Sequence, residues 1–144
     1  MTLIEQMKQL LADFSAFRIK AQFYHWNVEG SNFKEYHALF NDLYESAHSD
    51  IDAIGEHIRA LGSYAPGSLS RFKELATIQD ETTIPEALEM ISRIAADNES
   101  LHKSLMSVHE TAEIEKQFGL LNFIEGLIDV NEKTQWMLRS IIKR

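Results

Sequence analysis

Residues Phe33 to Gly62 read FKEYHALFNDLYESAHSDIDAIGEHIRALG, and this stretch decides the fold. Tyr36, Phe40, Leu43, Ala47, Ile51, Ile54, Ile58 and Leu61 recur at intervals of three and four, the repeat of one helix face. No proline interrupts them, and Gly62 stands where a left-handed C-cap is expected. Upstream, Gly30-Ser31-Asn32 breaks the pattern, and Asn32 with Glu35 three positions on reads as an N-cap and its box partner. Toward the N-terminus, Leu3, Met7, Leu10, Phe14, Phe17, Ala21 and Tyr24 step in the same way and predict a first helix from about Thr2 to Asn27. Toward the C-terminus, Gly62 to Thr83 holds Ser63, Pro66, Gly67, Ser68 and the short pattern Leu69, Phe72, Leu75, a link long enough to cross a bundle and carrying a small helix. Thr83-Ile84-Pro85-Glu86 predicts the next helix start, with a capping threonine, a first-turn proline and Glu86 at the box position. Leu88, Ile91, Ile94, Ala95, Leu101, Leu105 and Val108 carry that helix to about His109. After Glu110-Thr111 a last helix runs to the end through Ile114, Phe118, Leu121, Ile124, Ile128, Trp136, Leu138 and Ile141. Two helical hairpins joined by a crossing link predict an all-α, antiparallel four-helix bundle forming a single domain over residues 1–144.

Composition narrows the function. Fourteen Lys and Arg against 22 Asp and Glu give a net charge of −8, which argues against a protein that coats duplex DNA by neutralising phosphates. With no cysteine there is no disulfide framework, thiolate zinc site, iron–sulfur cluster or thiol nucleophile, so a metal site must use imidazole and carboxylate. Hydrophobic residues at 44% and charged residues at 25% suit a soluble globule, and no apolar run approaches the ~18 residues of a membrane span. Met1-Thr2-Leu3-Ile4-Glu5 lacks the basic start and apolar stretch of a secretory signal, so a cytoplasmic location is expected.

The long second helix also carries a polar stripe that a core does not require. At 100° per residue, Asn41, Glu45, His48, Asp52 and Glu56 all fall within about 100° of His37. A solvated charged face is the common reason for such a stripe. Geometry suggests more. The break at Gly30-Ser31-Asn32 lets the chain turn back, so His25 and His37 can meet near one end of the bundle. Asp52 and Glu56 are an i, i+4 carboxylate pair suited to a hard cation or Fe(II). Asp52 lies fifteen residues beyond His37, ~22 Å along one helix, so a single chain cannot bring all four to one ion. Two copies packed antiparallel about a two-fold axis can, with the axis near Glu45 and His48 just beside it.

The segments His25-Trp26-Asn27-Val28-Glu29-Gly30-Ser31-Asn32-Phe33, His37-Ala38-Leu39-Phe40 and Asp52-Ala53-Ile54-Gly55-Glu56-His57-Ile58-Arg59-Ala60-Leu61-Gly62 together resemble the signature of the Dps family of mini-ferritins. Glu132-Lys133-Thr134-Gln135-Trp136-Met137-Leu138-Arg139 is similar to that family's last-helix pattern, so the resemblance spans essentially the whole chain. It implies a homo-oligomer, a hollow dodecamer of ferritin-like subunits with ferroxidase sites at two-fold interfaces. At each site His25 and His37 of one subunit would join Asp52 and Glu56 of its neighbour. The implied chemistry is binding of Fe(II), oxidation by hydrogen peroxide or dioxygen, and storage of the ferric mineral, with protection against oxidative stress. Neutral imidazoles suit the borderline softness of Fe(II), and the carboxylates favour Fe(III); protonating the histidines should therefore slow oxidation below about pH 6.

Several positions depart from the family's pattern. Asn41 stands where many members carry aspartate, which points to one well-held iron per site and a weak second position. Asn122 falls where the family's three-fold pores commonly carry aspartate; Glu115, Glu125 and Asp129 are alternatives, and a carboxylate on a helix is more often plain surface. The lysine-rich tail that serves DNA binding in the family has no counterpart, since the first helix begins almost at Met1 and the C-terminus offers Arg139, Lys143 and Arg144. DNA binding is not expected; twelve copies would carry roughly −100 charges, a field that attracts iron cations. Trp26 reads as an aromatic packed beside the site or, by the resemblance, as an electron donor to oxidising intermediates. Glu45-Ser46-Ala47-His48 and Glu99-Ser100-Leu101-His102 fit the spacing of an intrasubunit di-iron bundle, but they sit on the second and third helices and the pattern arises readily in acidic helices. His57, His102 and His109 read as surface or interface groups. Two alternatives remain at this point: a structural assembly without redox activity, and an assembly that binds zinc or another divalent ion without turnover.

Overall fold

A computed structural model describes residues 1–143, which form five helices: α1 (Leu3–Asn27), α2 (Phe33–Ala60), α3 (Leu69–Leu75), α4 (Ala87–Ile114) and α5 (Phe118–Ile142). The four long helices make an antiparallel bundle in which α1 packs on α2, α4 packs on α5, and α1 joins the two hairpins through α4. The link between α2 and α4 crosses the bundle and lays α3 against α1. No helix among the described residues is long and apolar enough to cross a membrane.

Because α1 touches three other helices, its burial extends beyond the expected face. Met7, Leu10, Ala12, Ala21 and Tyr24 are fully enclosed, and so nearly are Asp13, Ser15 and Lys20. The polar ones are paired. The Asp13 carboxylate accepts from the Thr77 backbone N–H (2.6 Å), the Thr77 hydroxyl (2.8 Å) and the Ile78 N–H (3.0 Å), which fixes the crossing link to α1. Lys20 reaches Asp97 of α4 at 2.8 Å. Between α4 and α5, Asn98 and Asn131 each donate to the other's backbone carbonyl at 3.1 Å and Asn131 also donates to Asn98 Oδ1 at 3.0 Å, while the buried Asn131 Oδ1 accepts nothing among the described residues. Phe40, Ile54 and Ile58 of α2, Ile91, Ile94 and Leu105 of α4, and Ile124 and Leu138 of α5 complete the core.

The helix ends show what the sequence reading captured. Thr2 caps α1 in a full box with Glu5, and Gly62, at φ +92°, ends α2 in a Schellman motif: its N–H bonds Arg59 and the Ser63 N–H bonds Ile58. Three expectations need correction. Asn32 precedes α2, yet its side chain caps nothing and instead donates to the Tyr36 hydroxyl. Thr83 does not cap α4, because its hydroxyl and N–H are held by Glu81 (3.0 and 3.3 Å); α4 starts at Ala87, with Pro85 outside it. The turn expected near Glu110-Thr111 lies at Glu115-Lys116-Gln117. There Lys116 adopts φ +55° and closes a second Schellman motif through bonds from its own N–H to Glu113 and from Gln117 to Ala112. Ile114 and Phe118 therefore flank a turn and are exposed, as are Leu88 and Trp136 among the residues expected in the core.

Candidate metal centre

The turn between α1 and α2 builds the histidine pair. The Val28 N–H closes α1 on Tyr24 (2.9 Å), Gly30 takes φ +114°, and the Phe33 N–H bonds the Gly30 carbonyl (3.1 Å), so α2 starts back along α1 after five residues. His25, in the last turn of α1, and His37, just inside α2, come face to face with ring centroids 3.8 Å apart and planes within 14°. Each ring is tied to the other's backbone: His25 Nδ1 lies 2.7 Å from the His37 carbonyl oxygen, and His37 Nδ1 lies 2.7 Å from that of His25. A carbonyl oxygen can only accept, so both Nδ1 atoms carry their proton. In the neutral rings both lone pairs then sit on Nε2, the state a metal ion requires. Phe33 stacks on His37 at 5.0 Å and Tyr44 tilts against His25 at 5.3 Å, which limits how either ring can turn. Tyr44 was not singled out in the sequence, though it lies seven residues after His37 and therefore nearly on the same face of α2.

Asp52 and Glu56 lie on the unbroken α2 at the expected remove, ~22 Å of helix rise beyond His37. Both are exposed, and a hydrogen bond to Asp52 together with that residue's charge raises the Glu56 carboxyl. They border an open groove of about 330 Å³ whose walls include Leu11, Ile51, Pro66 and Phe72. Among the described residues no three ligating side chains meet within the chain. The structure thus pairs the histidines with each other and leaves the carboxylates apart from them. Asn41 is half-buried one turn beyond His37, while Glu45 and His48 are exposed. Trp26 is 65% exposed, so within the chain it is not the packed aromatic expected.

The other histidines have different partners. His102 bonds Glu132 of α5 at 2.9 Å and His109 bonds Glu125 at 3.1 Å, so the Glu99 and His102 pattern assembles no site with Glu45 and His48. His57 stacks on Phe123 at 4.4 Å, and burial lowers its pKa. A further network, not expected from the sequence, ties α1 to the crossing link and α4. Tyr24 donates to Glu81 at 2.6 Å, and Arg93 reaches the same carboxylate oxygen at 2.6 Å. Burial opposes the charge on Glu81, but the bonds from Tyr24, Arg93 and Thr83 outweigh it and hold its carboxyl at about 2.

The ferritin-like domain model matches residues 4–144. An uncharacterized low temperature-induced protein of Nostoc is 35% identical over 97% of this chain and 79% of its own length. DNA protection during starvation protein 2 of Bacillus anthracis is 28% identical over 98% of this chain and 97% of its own. The crystal structure of a Dps protein from Vibrio cholerae, titled as a member of a broad superfamily of ferritin-like diiron-carboxylate proteins, superimposes with a TM-score of 0.95. It is 26% identical and covers 98% of this chain and 89% of its own.

Proposed function

The chain belongs to the ferritin-like domain family and within it to the Dps mini-ferritins, and on that premise we propose that it binds Fe(II) at sites shared between two copies, oxidises it and stores the ferric product in a hollow, dodecameric shell. The observation that carries this reading is the histidine pair, whose Nδ1 atoms are both committed to carbonyls and whose Nε2 atoms are left to ligate. The partner's Asp52 and Glu56 would complete each site, because the two halves are ~22 Å apart on one continuous helix and an antiparallel copy would place them opposite one another. Exposed Trp26 and Phe33 beside the histidines, and the groove beside the carboxylates, give that contact apolar surface to bury.

Iron is the substrate here. Two neutral imidazoles hold Fe(II), and the added charge of Asp52 and Glu56 stabilises Fe(III) more than Fe(II), which lowers the cost of losing the electron. Two Fe(II) supply the two electrons that reduce hydrogen peroxide to water. Asn41, a neutral and weaker ligand, favours one firmly bound iron at each site. Although a relative's name refers to DNA protection, the net charge of −8 supports a shell without affinity for duplex DNA. Anaerobic Fe(II) titration followed by peroxide tests the reading. Fast formation of retained ferric iron, with a break near one Fe(II) per subunit, is the expected result. Oxidation no faster than that of free iron would favour a non-redox assembly and end the ferroxidase assignment.

A further inference from the structure

While α1 packs closely on α2 and α4 on α5, α2 and α5 do not pack closely on each other, and a cavity of about 270 Å³ opens between them. Phe14, Phe17, Leu43, Leu127 and Met137 make its walls apolar, yet Asp42 and Asp50 of α2 and Asn131 of α5 line it as well. Asn131 is 7% exposed. Its Nδ2 is held by Asn98 of α4, and a planar amide carries its oxygen and nitrogen on opposite sides, so Oδ1 is turned away from α4; it is buried and accepts nothing among the described residues. Asp50 is half-buried and likewise has no donor or cation beside it among the described residues. The two acceptors share a level of the bundle. His57 stacks on Phe123, and from that contact Asp50 lies seven residues back along α2 and Asn131 eight residues forward along the antiparallel α5. Acceptors without donors are costly in an apolar cavity, so an occupant that brings N–H groups is favoured there.

We propose that this cavity binds an aliphatic diammonium ion, with one ammonium between Asp50 and Asn131 Oδ1 and the other at the exposed carboxylate of Asp42. A metal ion does not suit the site: the two carboxylates are eight positions apart on α2, ~12 Å of helix rise, and no three ligating side chains meet among the described residues. Water would satisfy Asn131 but gains nothing from the apolar walls. An ammonium group carries the donors that both acceptors lack, pairs with the carboxylate in a charge-assisted bond, and leaves its methylenes to be buried against Leu43, Leu127 and Met137. The spacing sets the length. Taking a hydrogen bond of ~2.8 Å from each end of the ~12 Å span leaves roughly 6 Å between the nitrogens, the reach of about four or five methylenes. The net charge of −8 adds a general attraction for such a dication.

Calorimetric titration of the intact, metal-free assembly with 1,5-diaminopentane, in about 0.15 M salt to screen the exposed acids, tests the proposal. Saturable binding at one ion per subunit is expected. Asp50→Asn, which keeps the shape of the side chain, should weaken it about tenfold or more, and Asp42→Asn about threefold, since that carboxylate stands in solvent. Exposed Glu110→Gln should leave it unchanged. Both 1-aminopentane, which lacks the second charge, and 1,2-diaminoethane, which is too short to span the carboxylates, should bind more weakly than 1,5-diaminopentane by about threefold or more. Magnesium at equal concentration should not displace the diamine. Absence of saturable binding would show that water alone fills the cavity and would overturn the proposal. Binding that is unaffected by Asp50→Asn, or that magnesium displaces readily, would show only the general attraction of an acidic surface and would overturn it equally.

Discussion

At the scale of the residue, the crossed carbonyl bonds leave Nε2 of each histidine to ligate. The sequence placed His25 and His37 together through the Gly30 turn, but not the crossed bonds that commit both Nδ1 atoms, because those depend on carbonyl positions that only the folded turn defines. His37→Ala should abolish accelerated iron oxidation while the assembly stays intact, since one of two imidazoles is lost from a partly exposed site. Unchanged oxidation, measured by ferric absorbance, would contradict the assignment. Asp50 offers a second residue-scale prediction. It borders a cavity of about 270 Å³ lined by Phe14, Phe17 and Leu43, and burial pushes its carboxyl from 3.8 up to about 6. Its folded-state pKa is raised, so the native state holds the proton more tightly and stability falls as pH rises from 3.8 through about 6. Asp50→Asn should therefore stabilise the protein at neutral pH by about 1–2 kcal/mol after allowance for nearby solvent, and the gain should vanish near pH 4. Denaturant midpoints at the two pH values check this.

At the scale of the element, the apolar repeat and the glycines carried most of the information. Gly62 marked the end of α2 because a left-handed C-cap favours glycine, and α3 was legible from Leu69, Phe72 and Leu75 after Pro66 and Gly67. The α4–α5 turn was misplaced because the same Schellman motif is closed by Lys116, a residue that gives no turn signal and carries the steric cost of φ +55°. Lys116→Gly should relieve that cost and raise stability by about 1 kcal/mol, readable as a rise in Tm. The start of α4 was misplaced for a different reason: Thr83 looks like a cap, but Glu81 is anchored by Arg93 and takes its donors first. Asp13 was likewise invisible as a fastener, since an acid within an apolar repeat gives no hint of three donors some 64 residues away. Asp13→Ala should cost about 3 kcal/mol, because it strands the Thr77 and Ile78 N–H groups as well as losing their bonds. A loss below about 0.5 kcal/mol by urea unfolding would show that water replaces the carboxylate.

At the scale of the whole molecule, one chain holds the two halves of the proposed site on one helix, too far apart to meet within the chain. Helix arithmetic made this separation legible: His37 and Asp52 lie fifteen positions apart on one continuous helix, ~22 Å of rise. Trp26 and Phe33 are exposed in the single chain, and the proposed two-fold contact would cover them. Mixing defective subunits tests this central claim most directly. His37→Ala and Asp52→Ala chains should each fail to accelerate iron oxidation alone. Unfolded together and reassembled one to one, they should regain about a quarter of normal activity: half of the two-fold pairs are mixed, and each mixed pair has one intact site of two. No recovery in correctly reassembled shells would show that the histidines and carboxylates do not meet across an interface.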